Sequence, residues 1–238
     1  IEFLDADLCD EYSIDTAIKI SKPDYIFHLA AQSYPKTSFS APISTLNTNI
    51  LGTLRLLESI KRNKLDPLVH ICSSSEVFGR VSKQNIPINE NCNFHPASPY
   101  AISKVGTDLL GKYYAEAFKI KAMVTRMFTH TGPRRGDVFA ESSFAKQIAL
   151  IELGEIEPIV KVGNLESLRT IADVRDAVRA YYLLLTSNPI PGEVYNIGGE
   201  YTCKIKDILN TLIGLSDVKN IKIEVEKNRL RPIDADLQ

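Results

Sequence analysis

Residues 68–79 read Leu-Val-His-Ile-Cys-Ser-Ser-Ser-Glu-Val-Phe-Gly, and this stretch decides the fold class. Its first five residues form a short apolar run, which is typical of a buried strand. Three serines follow directly, so hydroxyl groups stand where the predicted strand ends in a loop. In open parallel sheets, ligands bind at this carboxyl edge of the strands. The stretch therefore predicts a binding site at the end of a core strand; a serine-rich turn that caps the strand is the alternative.

Strand and helix patterns alternate on both sides of this stretch. Residues 25–29 and 122–127 have the short apolar runs of buried strands, whereas apolar residues recur at helical spacing over 43–60 and again after Pro99. This order predicts parallel strands joined by right-handed crossovers. We therefore expect an α/β fold, a Rossmann-like doubly wound parallel sheet.

The spacing of the pattern changes after Gly132-Pro133, which predicts a second, smaller domain. We place the dinucleotide-binding Rossmann domain at residues 1–131 and a mainly substrate-binding, mixed α/β domain at residues 132–238, with some segments returning to the first domain. Later predicted helices cover residues 144–151, 173–185 and 205–212, and later predicted strands cover 159–162, 194–197 and 221–225.

The composition argues against several classes of partner. The chain has 238 residues, of which 44% are hydrophobic and 24% charged, with a formal net charge of −1. This balance predicts neither nucleic-acid binding nor attraction to an anionic membrane, and no apolar run is long enough to span a bilayer. The four cysteines, Cys9, Cys72, Cys92 and Cys203, lack the spacing of a metal site, so we predict no metal. Reduced thiols in the cytoplasm are expected.

A second informative stretch is Ser98-Pro-Tyr-Ala-Ile-Ser-Lys104. Ser98 is a good helix N-cap and Pro99 a good first helical residue. Tyr100 and Lys104 then lie one turn apart on the same helix face. A neighbouring ammonium favours the phenolate, so Lys104 is expected to lower the pKa of Tyr100 from the ordinary value of about 10. A solvated pair on a helix surface is the alternative interpretation.

Several motifs occur in a fixed order along the chain. They are His28-Leu-Ala-Ala-Gln-Ser33, Asn49-Ile-Leu-Gly-Thr53, Ser73-Ser-Ser-Glu-Val-Phe-Gly79, Ser98-Pro-Tyr-Ala-Ile-Ser-Lys104, Arg126-Met-Phe-Thr-His-Thr-Gly-Pro133 and Arg231-Pro232. Together they resemble the extended short-chain dehydrogenases/reductases, the NAD-dependent epimerase/dehydratase family. Within it, the stretches at 130–133, 144–148, 162–166 and 229–232 are most similar to GDP-4-keto-6-deoxy-mannose reductases, with GDP-mannose 4,6-dehydratases the nearest neighbours.

The resemblance implies a ketone reduction with NADP or NAD as cofactor. Tyr100 would give a proton to the oxygen at C4 of a GDP-linked 4-keto-6-deoxy sugar, yielding a GDP-D-rhamnose-type product. Ser74 would hydrogen-bond the same oxygen, and Lys104 would hold the nicotinamide ribose. In the dehydratases a glutamate at the place of Glu76 removes a proton from C5, so Glu76 is a further catalytic candidate. The alternative for Glu76 is a carboxylate that bonds backbone or caps a helix.

The resemblance also implies binding residues. The cofactor-binding candidates are Asp7, Leu8, Leu29, Ala30, Ala31, Tyr100 and Lys104, and the substrate-binding candidates are Ser75, Thr129, Asn164, Arg169 and Arg231, with Lys161 a lesser one. Family members open with a glycine-rich turn that holds the cofactor pyrophosphate. This sequence opens on what resembles the third strand, so the first βαβ unit with its glycine loop is missing. We expect a part of a longer protein.

The sequence also allows expectations about two polar residues, the oligomeric state and alternative functions. His28 and the amide of Asn49 are expected to be structural, because a buried amide is costly unless it is bonded to neighbouring backbone. Family members commonly pair the two long helices that start here near Pro42 and Pro99, which implies a homodimer. The alternative functions are a GDP-mannose 4,6-dehydratase, which is a lyase, and a non-catalytic nucleotide-binding relative.

Overall fold

A computed structural model describes residues 1–233 of the chain. Within these residues the helices are α1 (Glu11–Ser21), α2 (Pro35–Ser40), α3 (Pro42–Leu46), α4 (Gly52–Arg62), α5 (Pro99–Phe118), α6 (Ala140–Glu152), α7 (Val174–Thr186) and α8 (Ile205–Leu215). The strands are β1 (Tyr25–His28), β2 (Leu68–Cys72), β3 (Lys121–Met127), β4 (Thr129–Thr131), β5 (Ile159–Val162), β6 (Leu168–Asp173), β7 (Val194–Ile197), β8 (Tyr201–Lys204) and β9 (Lys222–Val225).

The main sheet contains four parallel strands in the order β1-β2-β3-β7. Successive residues of β2 face opposite sides of this sheet, as the pleat requires. Ile71 packs against α5, where a Cβ added at Gly111 would lie 2.9 Å from the Ile71 side chain. His70 faces the other way, and its ring stacks on Tyr181 of α7 at 4.3 Å. Helices therefore cover both faces of a parallel sheet, which confirms the predicted α/β fold.

The second unit is smaller and mixed, as expected. Its core combines α6, β5 and α8 through Phe144, Ile148, Val160 and Leu209, which are all buried. Strand β5 pairs in parallel with β9, and a separate three-stranded sheet has the order β4-β6-β8. The chain returns to the first unit afterwards, because β7 extends the main sheet beside β3. No helix within residues 1–233 is long and apolar enough to cross a membrane.

The predicted helix over residues 43–60 is interrupted. Helix α3 runs into a π-helical turn at Asn47–Leu51, and α4 continues from Gly52. A π turn accommodates an additional residue in the helical ladder and commonly occurs at functional sites. Here it carries Asn49, which is only 2% exposed.

Helix α5 forms where it was predicted, but its apolar stripe does not face the core. Ile102, Leu109 and Tyr113 are 49%, 52% and 55% exposed. The buried side instead carries Tyr100 and Lys104 together with the polar residues Ser103, Thr107 and Asp108. Helix α5 therefore buries Tyr100 and Lys104, while its apolar strip of Ile102, Leu109 and Tyr113 is exposed on the surface.

Candidate active site

A cavity of about 650 Å³ opens between the carboxyl edge of the main sheet and the smaller unit. From the main-sheet side it is lined by the turn after β2, the start of α5 and the segment before α2. The opposite wall comes from the stretch before α6, the loop after β5, strand β6 and the segment after β9. Most of the predicted catalytic and substrate-binding residues lie in this lining: Ser74, Ser75, Glu76, Tyr100, Thr129, Asn164, Arg169 and Arg231.

Local structure brings Ser74 and Tyr100 together. The Ser98 hydroxyl accepts a hydrogen bond from the backbone N–H of Ala101 at 3.0 Å, so α5 begins as predicted and Tyr100 lies in its first turn. Ser74 follows β2 and caps the short 3₁₀ turn Ser75–Val77. The Ser74 side chain is near enough to the Tyr100 phenol to act on its pKa, and both residues line the cavity. A serine hydroxyl and a tyrosine hydroxyl thus lie at the cavity wall.

The pKa of Tyr100 is raised above its ordinary value, opposite to the sequence-based expectation. Burial is the largest cause, because it disfavours the phenolate, and nearby Cys72 acts in the same direction. The nearby Ser74 side chain acts against them. The side chain is 8% exposed. Tyr100 is therefore held as a protonated phenol.

Lys104 is close to Tyr100 but is bound elsewhere. Its ammonium donates a hydrogen bond to the backbone carbonyl of Cys72 at 2.7 Å and lies 5.9 Å from the centroid of the Tyr100 ring. Burial lowers the pKa of Lys104. The expectation that Lys104 lowers the pKa of Tyr100 is wrong for this arrangement, since burial of the phenol prevails. Lys104 instead fastens α5 to the end of β2, where the Ser73 hydroxyl also donates to the Lys104 carbonyl at 3.2 Å.

Glu76 faces Arg231 across the cavity. Oε1 of Glu76 lies 3.5 Å from Nη1 of Arg231, and the two side chains are 13% and 29% exposed. The backbone N–H of Glu76 donates to the Ser74 hydroxyl at 3.2 Å. The carboxylate therefore caps no helix here; it forms an ion pair with an arginine from the far wall.

The remaining substrate candidates lie on the wall opposite Tyr100. Asn164 donates through Nδ2 to the Ser167 hydroxyl at 3.0 Å, which fixes the loop after β5. Arg169 on β6 is 8% exposed, and its Nη1 donates to the carbonyl of Leu168 at 2.8 Å. Thr129 lies at the start of β4.

Lys161, a lesser candidate, lies outside the cavity lining given for the described residues. Its ammonium pairs with Glu226 at 3.1 Å on the exposed side of β5. Alternation along a strand gives the reason, because neighbouring Val160 and Val162 point into the core.

Of the predicted cofactor residues, Tyr100 lines the cavity. Asp7, Leu8, Leu29, Ala30, Ala31 and Lys104 are not among its lining residues in the described part of the chain. Leu29 and Ala30 follow β1 and are exposed. Leu8 precedes α1 and packs on α4, where a Cβ added at Gly52 would lie 2.7 Å from the Leu8 Cβ. Arg55 of α4 also donates to the Leu8 carbonyl at 2.7 Å. Asp7 is exposed beside this contact, and Ala31 is half-buried in the turn after β1.

The amide of Asn49 braces the turn after β1. Its Oδ1 accepts from the backbone N–H of Gln32 at 2.8 Å, and its Nδ2 donates to the Gln32 carbonyl at 3.0 Å and to the Ser103 hydroxyl at 2.8 Å. His28 is buried and hydrogen-bonds the Thr53 hydroxyl through Nε2 at 2.9 Å. Both residues have the structural surroundings that the sequence predicts for them.

An aromatic and cationic layer of Tyr34, Arg135 and Phe139 lies in the cavity lining, and the sequence indicated only its arginine, as a minor candidate. The guanidinium of Arg135 lies 4.1 Å from the centroid of the Phe139 ring, and Tyr34 packs edge-on against the same ring at 5.8 Å. Arg135 also donates to the carbonyl of His130, and burial lowers its pKa. The Nε of Arg135 is buried without a hydrogen-bond partner, 3.6 Å from Glu141. The motif at 126–133 ends just before this arginine and was the only available signal; Tyr34 and Phe139 had none.

Comparisons with known proteins identify the family of this chain. The whole chain, residues 1–238, matches the family model described as GDP-mannose 4,6 dehydratase. The GDP-6-deoxy-D-mannose reductase of Pseudomonas aeruginosa is 34% identical over 209 residues, which are 88% of this chain and 67% of the reductase. The GDP-mannose 4,6-dehydratase of Yersinia enterocolitica is 34% identical over 200 residues, which are 83% of this chain and 53% of the dehydratase. The chain thus spans about two thirds of one relative and about half of the other.

A solved structure gives the same result for the fold. The structure of RMD from Pseudomonas aeruginosa complexed with NADPH has a TM-score of 0.89 and 31% identity, and the match covers 98% of this chain and 76% of that chain. The UDP-glucose 4-epimerase of Thermotoga maritima with UDP-glucose has a TM-score of 0.84 and 26% identity, covering 98% of this chain and 73% of that one.

Proposed function

This chain belongs to the GDP-mannose 4,6-dehydratase family, and on that premise we propose that it reduces the C4 ketone of GDP-4-keto-6-deoxy-D-mannose with NAD(P)H. The observation that carries the proposal is that Ser74 and Tyr100 line the same cavity, at the turn after β2 and the start of α5. Ketone reduction needs a proton donor at the carbonyl oxygen and a second donor that stabilises the developing charge. The named activity of the Pseudomonas reductase supports this choice of reaction.

The residues present fit the reactive end of a dinucleotide. The small side chains of Ala30 and Ala31 follow β1, and Lys104 is buried beside Tyr100. When bound, NAD(P)H supplies the hydride. The NADPH in the Pseudomonas structure supports the same cofactor here. Leu29, Ala30 and Ala31 would hold its ribose and phosphates, and Asp7 and Leu8 its adenine.

The protein's own groups then handle the proton. Tyr100, kept protonated by burial, gives its phenolic hydrogen to the oxygen at C4 as that oxygen becomes an alkoxide. Ser74 donates a hydrogen bond to the same oxygen. Lys104 fixes α5 against the end of β2, so that the phenol and the serine keep their relative positions. On the opposite wall, the guanidinium groups of Arg169 and Arg231 suit the phosphate and ribose oxygens of the nucleotide.

A second function is favoured by one observation. Glu76 lines the cavity beside Ser74, where a carboxylate could remove a proton from C5 of the sugar, as in a 4,6-dehydratase. The dehydratase relatives support this alternative at the same level of identity. In that reaction the cofactor would be reduced and reoxidised within one cycle. A non-catalytic nucleotide-binding relative is the third candidate, and the placement of Ser74 and Tyr100 in one cavity argues against it.

Two incubations of the full-length protein distinguish these functions. The reductase should convert GDP-4-keto-6-deoxy-D-mannose to a GDP-6-deoxy sugar when NADPH is present, and it should leave GDP-mannose unchanged. Product from GDP-mannose alone, without turnover of the keto sugar, would identify a dehydratase. Binding of GDP without either product would identify the non-catalytic relative.

The oligomeric state and the cellular compartment of the protein are also part of the proposal. We propose a homodimer that pairs the helical regions starting at Pro42 and Pro99, because α5 exposes an apolar strip. The cytoplasm is the expected compartment, since all four cysteines are free thiols. The division into domains at residues 131 and 132 stays a prediction.

A further inference from the structure

The ion pair between Glu76 and Arg231 connects the two walls of the cavity. Glu76 lies in the 3₁₀ turn that follows β2, at the edge of the main sheet. Arg231 follows β9 and the turn Lys227–Arg229 on the side of the smaller unit. The partners are 155 residues apart in sequence, and their closest charged atoms are separated by 3.5 Å. One contact therefore links the catalytic turn to the substrate-binding wall.

The backbone that carries Arg231 is fixed to the smaller unit by other contacts. Arg229 donates from Nε to Glu226 at 2.7 Å and from Nη1 to the Ser143 hydroxyl at 3.3 Å. The carbonyl of Arg229 also approaches the loop after β5 closely, because a Cβ added at Gly163 would lie 2.8 Å from it. The Arg231 side chain can therefore change partners by rotation while its backbone keeps its place.

The Glu76 end is coupled to the reacting groups. The backbone N–H of Glu76 donates to the Ser74 hydroxyl at 3.2 Å, and Ser74 and Tyr100 line the same cavity. The carboxylate lies on the same short turn and is near enough to Tyr100 to raise the pKa of that phenol. A change in the position or pairing of Glu76 would therefore change the pKa of Tyr100, the proton donor.

A phosphate group is a stronger competitor for this arginine than Glu76 is. A guanidinium binds phosphate through two parallel hydrogen bonds of about 2.7–2.9 Å, which are charge-assisted. The present contact between Arg231 and Glu76 is longer, at 3.5 Å, and involves one nitrogen. An anionic ligand with phosphate oxygens near Arg231 would therefore displace the carboxylate.

We propose that Glu76 and the diphosphate of the nucleotide sugar compete for Arg231, so that substrate binding releases the Glu76 carboxylate into the cavity beside Ser74. This inference rests on the proposed function for the identity of the ligand. Its consequence is that the charge facing the sugar depends on whether the diphosphate is bound. Glu76 weakens nucleotide binding in this arrangement and is exposed to the sugar only after the diphosphate has engaged Arg231.

Isothermal titration of the full-length protein with GDP tests the competition. Wild type, Glu76→Gln, Arg231→Gln and the double variant form a thermodynamic cycle. We expect Glu76→Gln to bind GDP about three- to tenfold more tightly, as the loss of a partly exposed ion pair implies. We expect no such gain when Glu76→Gln is combined with Arg231→Gln. Thermal unfolding curves check that each variant is folded, and Arg231→Lys, which keeps the charge, replaces Arg231→Gln if the latter is not.

The control is Glu141→Gln, which removes another carboxylate from the cavity lining, one that faces Arg135. A gain from Glu141→Gln that persists with Arg231→Gln would report the general effect of removing negative charge. The same persistence for Glu76→Gln would overturn the competition, and so would an unchanged affinity in Glu76→Gln.

The proposed function can be wrong independently of the competition for Arg231. If the wild type does not bind GDP but binds UDP or dTDP, the proposal of a GDP-linked sugar substrate is wrong. The thermodynamic cycle is then measured with the nucleotide that binds. If neither the wild type nor Glu76→Gln binds any of the three, both the competition and the proposed function are overturned.

Discussion

Burial determines the protonation state of Tyr100. The phenol is surrounded by protein, and its pKa is raised because the phenolate would lose solvation. A reductase needs the phenol form, since the group must donate a proton to the substrate. The environment therefore suits ketone reduction better than alcohol oxidation, which would require the phenolate.

Removing this hydroxyl should eliminate turnover while preserving binding. We expect Tyr100→Phe to lower kcat for the keto sugar by about 10²–10⁴, the range typical of a general acid, with little change in GDP affinity. Tyr113→Phe is the matched control, because Tyr113 lies on the same helix and points to solvent. Steady-state rates with NADPH and GDP titrations provide both quantities. Full activity in Tyr100→Phe would show that another group donates the proton.

The raised pKa of Tyr100 also predicts a pH profile. A group whose pKa lies above about 10 stays protonated through neutral and mildly alkaline pH. We therefore expect the rate of ketone reduction to show no decline due to this group between about pH 7 and pH 9, with a loss only as the pH rises past 10. Rates measured at saturating keto sugar and NADPH over this range check the expectation. A decline centred near pH 7–8 that disappears in Tyr100→Phe would contradict it.

Two buried histidines make the fold sensitive to acid. Burial, with a smaller contribution from Lys104, lowers the pKa of His28 to about 4. Burial is also the largest cause that lowers the pKa of His70 to about 3. Since the unfolded value is about 6.5, the stabilisation is fully present above that pH and is lost as the pH falls toward these folded values.

Replacing one of them should make the protein less sensitive to acid. In His70→Gln we expect the free energy of unfolding to fall less steeply below pH 6.5, by roughly 1.4 kcal/mol per pH unit. Urea unfolding at several values between pH 4 and pH 7 provides the slope. His95→Gln, at an exposed position, should retain the wild-type slope. Equal slopes in His70→Gln and wild type would show that His70 does not titrate as its burial implies.

At the scale of elements, a buried ion pair connects β3, α5 and the long segment before α5. Arg126 donates to Asp108 at 2.7 and 3.0 Å and to the carbonyl of Glu90 at 2.7 Å. Its guanidinium also lies 4.7 Å from the centroid of the Phe94 ring. This one side chain thus anchors the segment that leads into Tyr100.

Breaking this pair should be costly, because it leaves a charge buried without its partner. We expect Asp108→Asn to reduce the free energy of unfolding by about 3–5 kcal/mol. Asp66→Asn removes the exposed pair with Lys121 and should cost less than about 1 kcal/mol. Urea unfolding of both variants provides the comparison. Similar costs for the two would show that burial of the Arg126 pair adds no stability.

The sequence predicts the positions of helices and strands better than it predicts which side of each one is buried. Ser98 and Pro99 locate the start of α5, and helical spacing indicates its course. The inward side could not be predicted, because it is polar and is stabilised by hydrogen bonds such as that from Thr107 to the Asn49 carbonyl. Strand β4 is also invisible to pattern analysis, since three residues are too few to show alternation.

In the candidate site, too, the sequence predicts which residues take part better than it predicts their contacts. The motifs predicted that Ser74, Tyr100 and Arg231 share one cavity, and the structure brings them there. They could not predict the ion pair of Arg231 with Glu76, which depends on how the segment after β9 returns toward the main sheet. Nor could they predict Tyr34, which occupies the cavity mouth without any motif of its own.

At the scale of the whole molecule, the outer surface of α5 is the feature that the monomer leaves unexplained. Its strip of Ile102, Leu109 and Tyr113 lies beside α3, where Ile43 is 83% exposed. A contiguous apolar surface of this kind marks an interface. Tyr114, the next residue along this helix, is 5% exposed and donates to Glu58 at 2.5 Å, so it belongs to the monomer core. Pairing of two α5 helices would bury the strip while the cavity stays open on the other side of each helix.

A single charge in this strip should separate the two copies. If the wild type forms the proposed dimer at micromolar concentrations, Tyr113→Lys should sediment there as a monomer, because the lysine would be buried in the contact without a partner. Tyr182→Lys is the matched control, since Tyr182 is a tyrosine of similar exposure, 59% against 55%, on α7 of the main-sheet unit. Sedimentation velocity of the full-length protein distinguishes the outcomes. If Tyr113→Lys stays dimeric, or if Tyr182→Lys dissociates instead, the interface lies on another surface and the apolar strip of α5 needs a different partner.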